Sequence, residues 1–176
     1  MFKIKVIIAV IISVIISGIS SFLMMSSLSN TSEGYENFLK VVESIPNDGY
    51  LQENVIINDF ELRVYLAATN EQQVKGLSVK DHLKENEGML FVFEQPTRQG
   101  FWMKNMKFPI DIIWFNNNGT VVYIRPNLQP CIMTFDFLCP IYTPDKDSLY
   151  VLETVSGFSK KHNIKIGTHA DFQLIS

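Results

Sequence analysis

The chain has few of the residues that metal, redox and nucleic-acid sites need. Its 176 residues include only two cysteines and three histidines, and His82, His162 and His169 show no spacing typical of metal ligands. Lysine and arginine number 15 against 18 acidic residues, and no basic cluster occurs. Because phosphate neutralisation dominates nucleic-acid affinity, we expect no nucleic-acid partner. We expect no metal or cofactor either, since no Gly-rich phosphate loop is present.

Charge is also absent from a long segment near the N-terminus. Residues 6–28 carry no charged side chain, and as a helix they would span roughly 35 Å, enough to cross a ~30 Å hydrocarbon core. Lys3 and Lys5 would hold the N-terminus in the cytoplasm. The pattern predicts a single-pass anchor at 1–28 in the cell membrane, followed by an extracytoplasmic domain. A cleaved signal peptide is the alternative, and it gives the same location.

Residues 29–48 are predicted to form a linker with a short amphipathic helix at 33–45. Apolar residues recur there at helical spacing, and Pro46 and Gly49 mark the turn after them. The helix is either a simple connector or a partner-binding element. Asn30 and Asn118 lie in glycosylation sequons, whose use stays open.

Residues 49–176 are predicted to form a β-rich domain. Apolar and polar residues alternate in 61–67, and Asn58-Asp59 and Asn118-Gly119 are pairs typical of hairpin turns. Two short helices are indicated, at 71–79, with Val74 and Leu77 inward, and at 156–163. The pattern favours a compact, mainly antiparallel β-sandwich or squat barrel with two short helices.

The densest apolar stretch, 88–115, is expected to cross the core twice. Strand alternation places Phe101 and Met103 on one face and Trp102 on the other, toward a rim or groove. Polar groups near this indole suit a small ligand, sugar or peptide. The candidate ligand-binding residues are Arg98, Trp102, Lys104, Asn105 and Asp111. The alternative is that Trp102 only plugs one end of the domain.

Asp111 is unusual because it interrupts an apolar strand. A buried carboxylate must be paired, hydrogen-bonded or protonated. It could pair with one of four basic residues, or accept hydrogen bonds from loop amides beside Asn105 and Pro109. The basic candidates are Arg63, Arg98, Lys104 and Arg125. Glu153 raises the same question, and a hydrolase that uses Asp111 and Glu153 is an alternative function without a supporting motif.

The sulfur-containing residues permit two interpretations. Cys131 and Cys139 are close in sequence and are placed outside the cytoplasm, so a disulfide is predicted. Closing this loop contributes roughly 2.6 kcal/mol in the chain-entropy model. A copper-handling site that uses Met103, Met106 and Cys131 is an alternative. Ordinary packing of the methionines among aromatic rings is the simpler interpretation.

A series of short motifs between about 60 and 176 resembles the domain-of-unknown-function family numbered 192. The motifs are Gly76-Leu77, Gly88-Met89-Leu90-Phe91, Phe101-Trp102-Met103-Lys104-Asn105, Pro109-Ile110-Asp111-Ile112-Ile113, Pro130-Cys131, Cys139-Pro140, Tyr150-Val151-Leu152-Glu153, Gly157 and Gly167. Ser78 and Met106 depart from the family pattern, which usually has Met and Thr there. The resemblance implies a compact β-rich domain, often exported, and no established reaction or cofactor.

These observations favour a membrane-anchored extracytoplasmic module with a binding or accessory role, and catalysis is the less favoured interpretation. Its expected partners are the lipid bilayer, through residues 6–28, and either a membrane protein complex or a small ligand.

Overall fold

The computed structural model describes residues 49–173, which belong to one compact unit. Nine strands form within this range: β1 (Gln52–Ile57), β2 (Phe60–Ala67), β3 (Glu87–Thr97), β4 (Phe101–Trp102), β5 (Ile110–Phe115), β6 (Val121–Leu128), β7 (Ile141–Tyr142), β8 (Ser148–Val155) and β9 (Ala170–Gln173). The helices are α1 (Asn70–Lys75) and α2 (Phe158–Lys161), with 3₁₀ turns at Gly76–Val79 and Asp136–Leu138.

Seven of these strands form one sheet in the order β6-β5-β8-β3-β2-β1-β9, and β4 pairs with β7 separately. All pairs in the large sheet are antiparallel except β2 with β3, which are parallel. The parallel pair requires a long crossover, and residues 68–86, which contain α1, provide it. The prediction of a mainly β domain with two short helices is therefore confirmed.

The sheet curls until its two edges meet at one end. Thr120, just before β6, forms an antiparallel bridge with His169, just before β9, and Ala170 N–H donates to Gly119 O over 2.8 Å. The inner face is packed with apolar residues from both edges and the centre, including Val121, Ala170 and Leu152. A second apolar cluster covers the outer face. The fold is thus a curled half-barrel.

This architecture corrects the predicted sandwich, and it realises the predicted squat barrel only as a half-barrel. Among residues 49–173 the only second sheet is the β4–β7 pair, whose strands have two residues each, so the domain is no sandwich. The barrel does not close fully, because the edge strands meet at a single bridge. Alternation along a strand predicts its faces, whereas strand order depends on long-range pairing.

The short helix after β2 also differs from its prediction. It is α-helical only to Lys75, and Gly76 then adopts φ +48° and starts the 3₁₀ turn. Leu77 is buried as predicted, but Val74 is 81% exposed, because the helix ends before its inward face is established. A Cβ on Gly76 would lie 3.3 Å from the Phe91 ring, so the glycine allows close packing on β3.

No helix between residues 49 and 173 is long and apolar enough to cross a membrane. The predicted anchor, the predicted helix at 33–45 and Asn30 lie outside the described residues.

Candidate functional site

An open groove of about 580 Å³ lies on the outer side of the sheet, between α1 and the β4–β7 pair. Its lining is mainly apolar, with polar groups from Asn70, Gln73 and Gln99. The apolar lining comprises Val74, Phe91, Phe93, Phe101, Trp102 and Ile141. Such a combination of aromatic walls and few polar groups is typical of small-ligand sites.

The aromatic side chains that line the groove are held in place by aromatic rings packed against them. The Phe101 ring meets Phe91 edge-on with centroids 4.8 Å apart, and it meets Trp114 in the same manner at 5.8 Å. The indole N–H of Trp114 donates to Gln99 O over 3.1 Å, which fixes the loop that enters β4. On the other wall, Gln73 Nε2 donates to Val92 O over 2.9 Å and ties α1 to β3.

Trp102 forms part of the groove and remains accessible. It is 43% exposed, while Met103 next to it is buried at 1% and Phe101 is half-buried. This exposure confirms the predicted alternation and shows that Trp102 is not a buried plug. Lys104 Nζ lies 5.2 Å from the Trp102 ring centroid. The indole is therefore available to a ligand, and binding itself stays a prediction.

Glu153 lies at the inner end of the site. A second cavity of about 40 Å³ is lined by its carboxyl group, Gly76, Leu77, Lys104 and Met106, and shares five lining residues with the groove. The shared residues are Gln73, Val74, Phe91, Phe101 and Trp102. Glu153 is 4% exposed, and within residues 49–173 its Oε2 atom has no hydrogen-bond partner. An uncompensated buried carboxyl group of this kind is costly unless it is protonated.

Burial raises the pKa of Glu153 from 4.5 to about 8, although a hydrogen bond from the Leu77 backbone lowers the pKa in part. The cross-strand neighbours of Glu153 are Met89 on β3 and Ile112 on β5, which offer no cation. The carboxyl group is therefore mostly protonated at neutral pH and can donate a hydrogen bond into the cavity.

Asp111 is fully buried and accepts four hydrogen bonds. Its Oδ1 accepts from the backbone N–H groups of Asn127 (2.8 Å) and Gly157 (3.0 Å). Its Oδ2 accepts from the N–H (2.9 Å) and the hydroxyl (2.6 Å) of Ser159. Backbone amides hold the carboxylate, as one interpretation expected, but they belong to β6 and the start of α2 and not to the loop beside Asn105 and Pro109. Asp111 is a structural residue that holds the start of α2 against β5 and β6.

The two acidic residues cannot form the predicted hydrolase pair. Glu153 pairs in register with Ile112, which packs in the outer cluster, whereas Asp111 is the next residue along the strand. Successive side chains on a strand point to opposite faces, so the two carboxyl groups lie on opposite sides of the sheet. Two carboxylates that flank one bond must lie on the same side. Asp111 is likewise excluded from the groove.

Three other predicted site residues have mainly structural contacts. Arg98 Nε donates to Pro144 O over 3.0 Å and thereby joins two loops. Asn105 has φ +58° and makes the turn after Met103. Lys104 lines the inner cavity and also forms an ion pair with Asp136. Of the five predicted ligand-binding residues, Trp102 and Lys104 are thus brought together at the site, and the other three are not.

Cys131 and Cys139 form a disulfide, with a Cα–Cα distance of 5.8 Å. The bond removes the thiolate that the copper alternative required from Cys131. Met103 is buried and Met106 packs beside it in the outer cluster, which is the packing role expected of thioethers.

We expect native protein, unfolded without reductant, to contain no free thiol, because both cysteines are bonded to each other. Ellman titration after thiols are trapped during lysis measures this, and a reduced sample provides the two-thiol control. Two free thiols in the unreduced sample would contradict the prediction and the oxidising location it supports.

Sequence reasoning missed the opposite wall of the groove, which α1 provides through Gln73 and Val74. Gly76, a glycine within the predicted helix and close to Val74, was the available indication. Glu153 was recognised as unusual only as a weaker parallel to Asp111. The position of Glu153 on an otherwise apolar strand was the sequence signal that could have identified it as a site residue.

The fold has known counterparts among solved structures. A proposed transcription regulator from Sinorhizobium meliloti 1021 is 27% identical, with a TM-score of 0.63 over 70% of this chain and 95% of that one. A protein of unknown function from Novosphingobium aromaticivorans DSM 12444 is 29% identical, with a TM-score of 0.62 over 72% of this chain and 89% of that one. No curated protein matches the chain. The profile of the DUF192 family, described as "Uncharacterized ACR", matches residues 54–172, and the chain therefore belongs to that family.

Proposed function

We propose that the protein is a membrane-anchored, extracytoplasmic binding module, and that its site is the groove beside Trp102. The ligand is a small molecule, or a side chain of a peptide, with an apolar body and an uncharged hydrogen-bond acceptor. The apolar body would lie on Phe101 and Trp102. The acceptor would accept a hydrogen bond from the protonated carboxyl group of Glu153.

The observation that carries this proposal is the unpartnered Oε2 of Glu153 in a cavity that adjoins an accessible aromatic groove. Buried polar groups in proteins nearly always have a partner. A ligand acceptor would supply the missing one, while the surrounding rings supply apolar contact area. An anionic ligand would face a second acid, so an uncharged acceptor suits a protonated carboxyl group best.

The location rests on the sequence of residues 6–28 and on the disulfide, which is typical of oxidising compartments. A regulatory role on nucleic acid is not carried over from the Sinorhizobium protein, because this chain has a net charge of −3 and no basic cluster.

Phenylacetamide serves as a probe, because it combines a phenyl ring with an uncharged carbonyl acceptor. We expect it to shift the Trp102 indole resonance in the NMR spectrum of the wild-type protein. Trp102→Ala should cost only about 1–2 kcal/mol of stability, since the side chain is half-exposed, and should remove most of the binding. Urea melts and probe titrations measure the two effects separately.

Ile166→Ala is the matched control, because Ile166 is a large apolar side chain that is 66% exposed and does not line the groove. Phenylacetate is the probe control, since its negative charge should weaken binding beside Glu153. Equal binding by the Trp102→Ala protein, or equal affinity for the two probes, would contradict the proposed site.

A further inference from the structure

The disulfide closes a loop whose apolar side chains point into solvent. All seven residues between Cys131 and Cys139 are exposed, and five of them are large and apolar. The five are Ile132 (92% exposed), Met133 (55%), Phe135 (58%), Phe137 (81%) and Leu138 (50%). Among the described residues this is the longest run of consecutive exposed positions, and most of it is apolar. Such a patch marks an interaction surface.

The loop is preorganised in this exposed form. Besides the disulfide, Cys131 N–H donates to Met103 O over 2.9 Å and fixes the base of the loop to the end of β4. Leu138 N–H donates to Phe135 O and Cys139 N–H to Asp136 O, both over 3.0 Å, within a 3₁₀ turn. The rings of Phe135 and Phe137 stack with centroids 5.6 Å apart. The tip therefore keeps its shape and satisfies part of its backbone internally.

The loop carries almost no uncompensated charge. Its only charged residue is Asp136, which forms an ion pair with Lys104. The high exposure of the Ile132 and Phe137 side chains, close to that of isolated residues, shows that the loop also protrudes. Apolar, protruding and internally bonded segments suit a lipid interface, where unpaired backbone groups are costly.

We infer that loop 131–139 inserts its apolar side chains into the interface of the membrane that holds the N-terminal anchor. This inference rests on the proposed anchor at 6–28. With the predicted helix at 33–45, the intervening residues 29–48 would span roughly 43 Å, at ~1.5 Å per helical and ~3.3 Å per extended residue, so the tether allows the loop to face the lipid. With no basic cluster nearby, insertion depends on apolar contact and tolerates zwitterionic lipid and high salt.

The groove described above lies next to the base of loop 131–139. Trp102 pairs in register with Ile141, which is 66% exposed and lines the groove, and Lys104 bridges to Cys131 at the loop base. Insertion of the loop would bring the groove mouth close to the membrane surface.

The test uses the full chain reconstituted in phosphatidylcholine vesicles, with or without brominated acyl chains that quench tryptophan fluorescence. Phe137→Trp places a reporter in the loop, and Ile166→Trp places one at a similarly exposed apolar position away from it. Both proteins retain Trp102 and Trp114, so their background is the same. An inserted side chain lies about 5–10 Å into the interface, and we therefore expect brominated lipid to lower the fluorescence added by Phe137→Trp about twofold, in low and high salt alike.

Ile166→Trp should lose little fluorescence in the same vesicles. Flotation of the vesicles separately reports whether the chain stays anchored. A chain that floats but shows equal quenching for both variants overturns the loop proposal and leaves the anchor intact. A floating chain with an unquenched loop and cross-links between copies shows that a second copy covers the loop, which also overturns it. A chain that does not float contradicts both the anchor and the loop.

Discussion

Replacement of Glu153 by glutamine is expected to stabilise the protein by several kcal/mol above pH 8. Folding raises the pKa of Glu153 from 4.5 to about 8, so between these values the folded state keeps a proton that the unfolded state has lost. Stability from this group is fully present below pH 4.5 and is lost as the pH rises through 8. The loss is on the order of 5 kcal/mol, at 1.36 kcal/mol per pKa unit. Glutamine does not ionise, so the Glu153→Gln protein should not show this loss of stability.

Urea melts of both proteins at intervals from pH 4 to 9 measure this difference. Glu94→Gln is the matched control, because it makes the same substitution at an exposed position on β3. The exposed acids that pair with lysines have lowered pKa values, so their effects fall below pH 4.5, outside the window. Parallel pH profiles for wild type and Glu153→Gln would show that Glu153 is not held protonated by burial, and would remove the donor from the proposed site.

Replacement of Asp111 by alanine is expected to destabilise the protein by on the order of 4 kcal/mol, because each buried donor left unpaired costs about 1–3 kcal/mol. Three backbone N–H groups and one hydroxyl lose their acceptor together. Asn127 near the end of β6, and Gly157 and Ser159 at the start of α2, are held through this side chain, so β6 and α2 should loosen. Amide hydrogen exchange should show lost protection at Gly157 and Ser159.

Ser159→Ala provides a graded comparison, since it removes only the hydroxyl bond of 2.6 Å and should cost about 1–2 kcal/mol. Asp145→Ala, at an exposed loop position, should change stability little. A loss below about 1 kcal/mol for Asp111→Ala would mean that water replaces the carboxylate and that the residue is not structural. Because Asp111 lies on the opposite face from the groove, the surviving folded protein should bind the phenylacetamide probe as wild type does.

The nature of most elements could be predicted from local patterns. The hairpin turns are as expected, with Asn58 at φ +47° and Gly119 at φ +73°, because these residues tolerate the left-handed region. Alternation placed Met103 inside and Trp102 outside correctly. The disulfide was predicted from two cysteines close together in sequence. Each of these depends on residues close together in sequence, where steric preference and side-chain period act directly.

The site could be predicted only in part. Trp102 and Lys104 were identified because they lie in and just after one short strand. Asp111 was assigned to the same site from its proximity in sequence, yet the odd and even positions of β5 face opposite sides of the sheet. The hydrogen-bond partners of Asp111 lie 16 to 48 residues further along the chain. The wall of the groove opposite Trp102, which α1 provides, is likewise distant in sequence. No local pattern specifies such separations.

The sequence by itself determined the β-rich class, the turn positions, the burial of the central strands, the disulfide and the family. Those properties follow from residue type, spacing and period. The tertiary structure alone decided the parallel β2–β3 pair, the curl into a half-barrel and the separation of Asp111 from Glu153. It also decided that the cross-strand neighbours of Glu153 are the uncharged Met89 and Ile112. These come from strands more than 40 residues away, and chain-distant pairing is set by the packing of the whole sheet.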